Sequence, residues 1–207
     1  MVHYKLTYFD FRGLGEVTRQ LFHLADVDYE EKRLSLEEFK KVKHTFPSGL
    51  IPILEIDGVV LSQSSAINRY LAKMFGLVGK TPLEEAQVDE ILGIFMDCRP
   101  TFRPFFFGHF LGKPQEELNR LKEEDVIPAC AVIFKELNRK LKTSKSGFLV
   151  GDSLTWADLQ AADLLTTLKG FGVFNPSEEP LLAAHHQKIC SIPKLKEYLD
   201  KRPETII

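Results

Sequence analysis

Three short segments in the first third of the chain carry the side chains best suited to chemistry. The first, residues 8–13, follows a run in which apolar and polar residues alternate. Tyr8 supplies a phenol there, and a phenol can donate a hydrogen bond to a developing anion while it stays neutral at pH 7. The segment contains no cysteine pair, which excludes disulfide exchange as the main chemistry. The alternative interpretation is that Tyr8 is an ordinary strand tyrosine.

The second segment, residues 47–53, contains a step from Ile51 to Pro52 that leads directly into an apolar run. An Ile-Pro bond can adopt the cis form. A cis turn would present the main-chain N–H and C=O of Ile51 to a peptide-like ligand. The alternative is that Pro52 lies on an edge strand, where a missing backbone donor is tolerated.

The third segment, Gln63-Ser64-Ser65, precedes a helical pattern that begins near Ile67. A serine at this place is typical of a helix cap, which contributes about 1 kcal/mol. The same helix end offers free N–H groups and a partial positive charge to a carboxylate. The two interpretations are compatible, and the sequence alone favours the plain cap.

The elements around these segments predict how they are brought together. Alternating runs and helical patterns follow one another up to Phe75, with a second strand over residues 27–34. The pair Asp57-Gly58 between two apolar runs predicts a tight hairpin, because it tolerates positive φ. The resulting order β-α-β-α-β-β-α resembles a thioredoxin-like fold. A right-handed crossover followed by a hairpin places the end of the first strand beside the start of the last helix.

Beyond a linker at residues 77–82 the sequence shows helical spacing only, as in Val88, Ile91, Leu92 and Phe95. We therefore predict an α/β thioredoxin-like domain over residues 1–78 and an all-α domain over residues 82–207. Three prolines are expected to interrupt and kink the helices of the second domain, because each lacks a backbone donor. They are Pro100, Pro104 and Pro128.

Composition restricts the function classes. The chain has 207 residues, 44% hydrophobic and 27% charged, and its net charge of −2 argues against a nucleic-acid partner or a polybasic membrane surface. Its longest apolar run, residues 129–134, is too short to span a membrane. Cys98, Cys130 and Cys190 form no CxxC pair and no zinc-ligand pattern, which favours a reducing, cytoplasmic setting and no metal.

Taken together, these segments and the later run at residues 154–158 resemble the cytosolic glutathione S-transferases. The similarity covers essentially the whole chain. It is greatest to the sigma class, which includes glutathione-dependent prostaglandin D synthases and many invertebrate detoxification enzymes. The resemblance implies a homodimer in which residues 1–78 bind glutathione as co-substrate and the helical domain contributes the electrophile pocket.

The resemblance also implies a role for individual positions. Tyr8 would hydrogen-bond the glutathione sulfur and stabilise its thiolate. Ile51 would pair with the cysteinyl backbone across a cis Pro52, and Gln63 with Ser64 would hold the γ-glutamyl carboxylate. The glycyl end would meet Lys43, Gly49, Leu50 and Phe39, the last in place of a tryptophan, and Asp97 would reach the γ-glutamyl amine across the dimer.

The electrophile pocket and the departures from the family pattern concern substrate choice. The implied pocket residues are Phe9, Phe11, Gly13, Leu14, Phe102, Phe106 and Ile207. Leu14 and Pro104 replace an arginine and an aromatic residue of the prostaglandin synthases, and Gly93 with Met96 replace two metal-binding acids. We therefore expect a nonspecific apolar pocket and no metal site.

Three functional hypotheses follow from the resemblance. The leading one is conjugation of glutathione to hydrophobic electrophiles by aromatic substitution or Michaelis-type addition. Glutathione-dependent peroxidase or prostaglandin isomerase activity is an alternative form of this enzymatic hypothesis. The second hypothesis is a dimeric carrier of haem or lipids with incidental catalysis. A noncatalytic structural relative is the third hypothesis, and intact Tyr8, Ile51-Pro52 and Gln63-Ser64 argue against it.

Some polar residues are predicted to be structural. Thr155 followed by Asp158 predicts a capping box, so Asp158 is not expected to be catalytic. His185 and His186 have no acidic or cysteine neighbour at ligand spacing, which predicts surface or packing histidines.

Overall fold

The computed structural model describes residues 2–207, and the chain divides into two compact units. The first comprises the residues up to Val78 together with Ile189–Ile207, and the second comprises Gly79–Lys188. The strands are β1 (Tyr4–Phe9), β2 (Glu30–Leu34), β3 (Ile53–Ile56) and β4 (Val59–Ser62). The helices are α1 (Glu16–Ala25), α2 (Leu36–Val42), α3 (Ser64–Met74), α4 (Pro82–Phe110), α5 (Gln115–Leu121), α6 (Ile127–Thr143), α7 (Trp156–Gly170), α8 (Pro180–Cys190) and α9 (Pro193–Lys201).

The four strands form one mixed sheet in the order β2-β1-β3-β4. β1 and β2 are parallel and are joined through α1, whereas β3 runs antiparallel to both of its neighbours. The β3–β4 turn uses Asp57 at φ 48° and Gly58 at φ 86°, which is the positive-φ pair of a two-residue hairpin. This topology confirms the predicted thioredoxin-like order.

Helices α1 and α3 pack together and bury one apolar face each. Val17 and Leu21 of α1 and Ile67 and Leu71 of α3 are buried, and the Thr18 hydroxyl donates to Asn68 Oδ1 at 2.6 Å. Met74, in the last turn of α3, is 57% exposed.

The prediction that three prolines interrupt the helices of the second domain was wrong. α4 is continuous from Pro82 to Phe110 across Pro100 and Pro104. Both prolines lie on the exposed side of α4, where water can satisfy the carbonyls left without a donor. Pro128 is the second residue of α6. This helix directly follows a π-helical turn at Lys122–Val126, so α5, the turn and α6 are continuous.

Asp158 has a structural role at the start of α7. Its carboxylate accepts hydrogen bonds from the Thr155 N–H at 2.8 Å, the Thr155 hydroxyl at 2.9 Å and the Leu149 N–H at 2.8 Å. The predicted capping box is therefore present. His185 is buried, which agrees with the predicted packing histidine, and its Nε2 lies 2.9 Å from Asp158 Oδ1, an acidic partner that the local spacing does not reveal. The two residues lie 27 positions apart, which hides the pairing from the sequence.

The last helix belongs with the first unit. α9 packs on α1, and the Tyr198 hydroxyl donates to Glu16 Oε2 at 3.1 Å. The division at residues 78 and 82 stays a prediction about sequence domains. No helix within residues 2–207 has the length and apolar character needed to cross a membrane.

Replacing Asp158 by asparagine tests the structural role. We expect Asp158→Asn to lower the free energy of unfolding by about 3 kcal/mol, because several buried donors lose a charged acceptor. Denaturant unfolding measures this. Asp152→Asn is the matched control, since that side chain is 69% exposed and pairs with Lys80 only at the surface. Equal stability of the two variants would contradict the assignment.

A half-buried histidine predicts how stability depends on pH. His109 lies between Phe105 and Phe171, with ring centroids 4.9 and 4.7 Å away, and its Nε2 has no hydrogen bond to a described residue. Desolvation lowers the pKa of His109 below its ordinary value of 6.5. The unfolded chain therefore binds a proton that the native state resists, so this contribution is complete above the unfolded pKa and declines as the pH falls below it.

The corresponding variant is His109→Gln. We expect the stability difference between pH ~7.5 and pH ~5.5 to be smaller in His109→Gln than in the unmodified protein. Comparing each protein with itself at two pH values removes the packing change from the measurement. If the stability difference between the two pH values is the same in both proteins, other groups cause the loss of stability at acid pH.

Candidate functional site

The strand register brings the three segments together at one end of the strands. Thr7 pairs with Ile53, and Ile53 pairs with Ser62, so these residues form one row across β1, β3 and β4. One residue of each segment lies directly beyond this row, namely Tyr8, Pro52 and Gln63. Adjacent strands lie about 4.8 Å apart, so the three segments start within roughly 10 Å of one another.

Tyr8 is 4% exposed, and its hydroxyl is directed to the loop that follows β1. The Leu14 N–H donates to Tyr8 Oη at 2.9 Å. The ring packs edge-on against Phe9 and Phe11, with centroids 5.3 and 5.9 Å away. The phenol is therefore held from two sides, and its oxygen is an acceptor as well as a donor group.

Two glycines let this loop approach the tyrosine. A Cβ on Gly13, where φ is +42°, would lie 2.6 Å from Tyr8 Oη. A Cβ on Gly15 would lie 2.5 Å from Tyr8 Cδ1 and 2.8 Å from Cγ. All three distances are too short for real contacts, so the close packing of Tyr8 requires glycine at these positions.

The residue that organises the loop was not found by sequence reasoning. Arg19 of α1 is buried, and its guanidinium donates to the carbonyls of Phe9 at 2.9 Å, Phe11 at 3.0 Å and Arg12 at 3.2 Å. Its Nε donates to Glu31 at 2.6 Å, and its Cζ lies 5.7 Å from the centroid of the Tyr8 ring. The only sequence signal was its spacing of three from Glu16, which is common on helix surfaces.

The charges around Arg19 keep it ionised. Burial alone would lower the pKa of Arg19, but attraction to Glu31 and Glu16 outweighs that effect and raises it. The guanidinium is therefore a permanent cation close to Tyr8. The closest Glu16 oxygen is 3.5 Å from Nη1.

The second segment differs from the edge-strand alternative. The Ile51–Pro52 bond is cis, and Pro52 leads into β3, which lies between β1 and β4 rather than at an edge. Ile51 is buried, yet among residues 2–207 its main-chain N–H and C=O have no hydrogen-bond partner. Buried main-chain groups are nearly always paired, so this pair of groups is available to a ligand.

The third segment is not a serine cap. Gln63 is the N-cap of α3 at φ 73° and ψ 114°, and its side chain makes no capping hydrogen bond. Ser64 is the first residue of the helix, and its hydroxyl forms no hydrogen bond within the described part of the chain. The first-turn N–H groups of a helix lack partners within it, so this end remains open to an anion.

The remaining predicted glutathione residues lie partly together. The exposed side chain of Lys43 passes over Gly49, where an added Cβ would be 3.2 Å from Lys43 Cε. Leu50 is 52% exposed. Phe39 packs edge-on against Phe9 with centroids 5.1 Å apart. Asp97 belongs to the second unit, where it is exposed on α4.

The predicted electrophile residues are distributed between the two units. In the first unit, Phe9 and Phe11 stack with centroids 4.9 Å apart, Gly13 and Leu14 are half-buried, and Ile207 is buried with its oxygen 3.0 Å from the Arg12 nitrogen. In the second unit, Phe102 is buried and Phe106 packs against it with centroids 5.9 Å apart. Residues 2–207 contain no group of three or more His, Cys, Asp or Glu side chains placed to hold a metal ion.

Two family models match the sequence of the chain. Residues 4–73 match the model of the glutathione S-transferase N-terminal domain, and residues 96–202 match the C-terminal domain model. The chain belongs to the glutathione S-transferase family. Glutathione S-transferase 3 of Caenorhabditis elegans is 50% identical over 205 residues, which cover 99% of each chain.

Solved structures of nematode glutathione S-transferases are similar to the chain over its full length. A Nu-class enzyme from Haemonchus contortus is 44% identical with a TM-score of 0.88, and the alignment covers 100% of both chains. Monomeric Na-GST-3 from Necator americanus is 44% identical with a TM-score of 0.90, covering 99% of this chain and 100% of the other. Rat hPGDS complexed with a quinoline is 32% identical with a TM-score of 0.88 and the same coverage.

A methyl group at Gly15 tests the close packing of Tyr8. We expect Gly15→Ala to lower the free energy of unfolding by about 1–3 kcal/mol, because the Tyr8 ring must shift away from its neighbours. Gly93→Ala is the control, since a Cβ there meets no atom within 4 Å. That control should be neutral or stabilising by up to about 1 kcal/mol. A neutral Gly15→Ala would show that the loop yields easily.

Proposed function

We propose that the chain conjugates glutathione to hydrophobic electrophiles, with Tyr8 stabilising the glutathione thiolate. Glutathione is the co-substrate of the family. The observation that supports the proposal most directly is the common edge at which Tyr8, the unpaired main chain of Ile51 and the open end of α3 begin. They would offer a phenol to the thiol, main-chain partners to the peptide backbone and an anion site to a carboxylate of one bound tripeptide.

The energetic requirement is modest. A free thiol has a pKa near 8.5, and the thiolate is the nucleophile. Lowering that pKa by about two units requires roughly 2.7 kcal/mol of thiolate stabilisation. A charge-assisted hydrogen bond from Tyr8 in a partly dry site can supply much of this. The bond from Leu14 N–H to Tyr8 Oη polarises the phenol and strengthens its donation.

The tripeptide is proposed to bind through its main chain and its two carboxylates. Ile51 pairs with the cysteinyl residue, and Gln63 and Ser64 with the start of α3 hold the γ-glutamyl carboxylate. Lys43 meets the glycyl carboxylate, with Gly49, Leu50 and Phe39 beside it. The position of Lys43 over Gly49 supports this last assignment.

Several finer assignments belong to the same proposal. Phe9, Phe11 and Leu14 of the first unit contact the electrophile, and Gly13, Phe102, Phe106 and Ile207 stay sequence predictions for that role. We propose a homodimer in which Asp97 serves the partner's glutathione, although one relative is described as monomeric. A cytoplasmic detoxification role is consistent with three free cysteines. The sigma class stays a prediction, and the higher identity to a Nu-class enzyme favours the nematode group.

The Tyr8→Phe variant tests the thiolate mechanism. Thiolate absorbance of bound glutathione should rise well below pH ~8 in the unmodified protein, and Tyr8→Phe should move the midpoint upward by about one to two pH units. Turnover of a chromogenic aryl halide should fall in parallel. Tyr4→Phe is the matched control, because Tyr4 is a buried tyrosine of the same strand that packs on Phe22.

Three other outcomes would contradict the proposal. An unchanged midpoint in Tyr8→Phe would place the activating group elsewhere. Equally slow turnover by both proteins, with tight binding of haem or lipid, would favour the carrier. Failure of the unmodified protein to bind glutathione would favour a noncatalytic relative.

A further inference from the structure

Arg19 makes its most distinctive contacts with the loop between Tyr8 and Leu14. The Nη1 and Nη2 groups of its guanidinium donate hydrogen bonds to three carbonyls, those of Phe9, Phe11 and Arg12. The loop then returns the Leu14 N–H to Tyr8 Oη. The planar fork of arginine thus fixes the main chain on which the second hydrogen bond of the phenol depends.

The two carboxylates near Arg19 have other cations, so neutralising them does not explain this residue. Glu31 also pairs with Arg33, whose Nη2 lies 2.9 Å from Oε2. Glu16 also pairs with Arg202 and accepts from Tyr198. The contacts that distinguish Arg19 are its hydrogen bonds to the carbonyls of Phe9, Phe11 and Arg12. The structural role of Arg19 therefore concerns the loop after β1.

The guanidinium is also close to the phenol itself. Its Cζ lies 5.7 Å from the centroid of the Tyr8 ring, within the range of a cation–π contact. Both the ring and the loop are therefore held by one buried side chain. A movement of Arg19 would alter the distance from Leu14 N–H to Tyr8 Oη.

We propose that Arg19 is a positioning residue for glutathione activation, which holds the loop after β1 so that Leu14 N–H and Tyr8 Oη remain hydrogen-bonded. The inference rests on the proposed function, because it concerns the donor strength of Tyr8. Arg19 touches neither substrate, and it acts through the main chain of the loop.

The first test is Arg19→Lys, which retains the charge and removes the fork. One ammonium group cannot reach three carbonyls and Glu31 together. We expect kcat with a chromogenic aryl halide to fall about tenfold and KM for glutathione to change less than about threefold. The midpoint of thiolate formation should rise by about one pH unit, which corresponds to a tenfold smaller ionisation constant. An unchanged midpoint in folded Arg19→Lys would overturn the proposal.

A double-mutant cycle shows whether the two residues act together. If Arg19 acts through Tyr8, the Arg19→Lys, Tyr8→Phe double variant should lose little beyond the Tyr8→Phe loss. Fully additive losses would overturn the proposal. If Tyr8→Phe leaves the midpoint of thiolate formation unchanged, the proposed function fails. If Tyr8→Phe raises the midpoint and Arg19→Lys leaves it unchanged, only the inference about Arg19 fails.

A second variant keeps the proposal testable if Arg19→Lys does not fold. Glu31→Ala removes the acceptor that lies 2.6 Å from Arg19 Nε, and it also removes a negative charge. If the Arg19 guanidinium loses its fixed position, the pH midpoint of thiolate formation should rise. If only the negative charge of Glu31 matters, its removal should lower that midpoint. We expect a rise, and a fall or no change would overturn the positioning role. Arg33→Ala is the control and should leave the midpoint within about 0.2 units, because the Arg33 guanidinium bonds to Glu31, whereas the loop carbonyls accept from Arg19.

Discussion

The pairing of β3 with both β1 and β4 is the constraint on which the candidate site depends. Ile53 pairs with Thr7 on one side and with Ser62 on the other. The segments after β1 and β4 and the segment before β3 therefore lie at the same end of the strands. A shift of one residue in either pairing would move Pro52 or Gln63 away from Tyr8 and reverse the faces of the strand. The hairpin at Asp57 and Gly58 fixes the register of β3 against β4, since a two-residue turn sets the pairing of the two strands that it joins.

A second layer of constraint lies in the loop after β1. The sheet positions Tyr8, but the direction of its hydroxyl depends on Leu14, and the position of Leu14 depends on the loop that Arg19 holds. The segment after α9 contributes as well, since the Arg12 nitrogen lies 3.0 Å from the Ile207 oxygen. The phenol is thus oriented by main-chain contacts of its own unit rather than by neighbouring side chains alone.

The sequence was informative where the signal is local. The hairpin pair and the Thr155–Asp158 box are patterns of two to four residues, and the structure contains both. Ser64 was misjudged as a cap because Gln63 takes that position with a positive φ, which no local preference assigns to glutamine. Arg19 was missed because its partners are carbonyls and a carboxylate from β2, which periodicity along α1 cannot identify.

The same reasoning explains the errors in the helical unit. A proline removes one hydrogen bond, and sequence rules therefore end a helix near it. In α4 both prolines lie on the exposed side, while Phe95, Phe102 and Phe105 on the other side are buried. Burial of those side chains outweighs the lost bonds, so α4 continues. The pairing of His185 with Asp158 likewise depends on the packing of helices that lie far apart in sequence.

The fold of the first unit resembles that of disulfide oxidoreductases, but this chain has no cysteine at the end of β1. A thiol nucleophile must then come from the ligand, and the protein must favour that thiol over its own. Burial does this for Cys130, whose pKa rises to about 12, and it raises the pKa of Cys98 in the same direction. Both remain protonated near neutral pH and are poor nucleophiles. The hydrogen bond donors instead converge on the edge where Tyr8, Ile51 and α3 begin, so the proposed mechanism confines thiolate formation to a bound tripeptide.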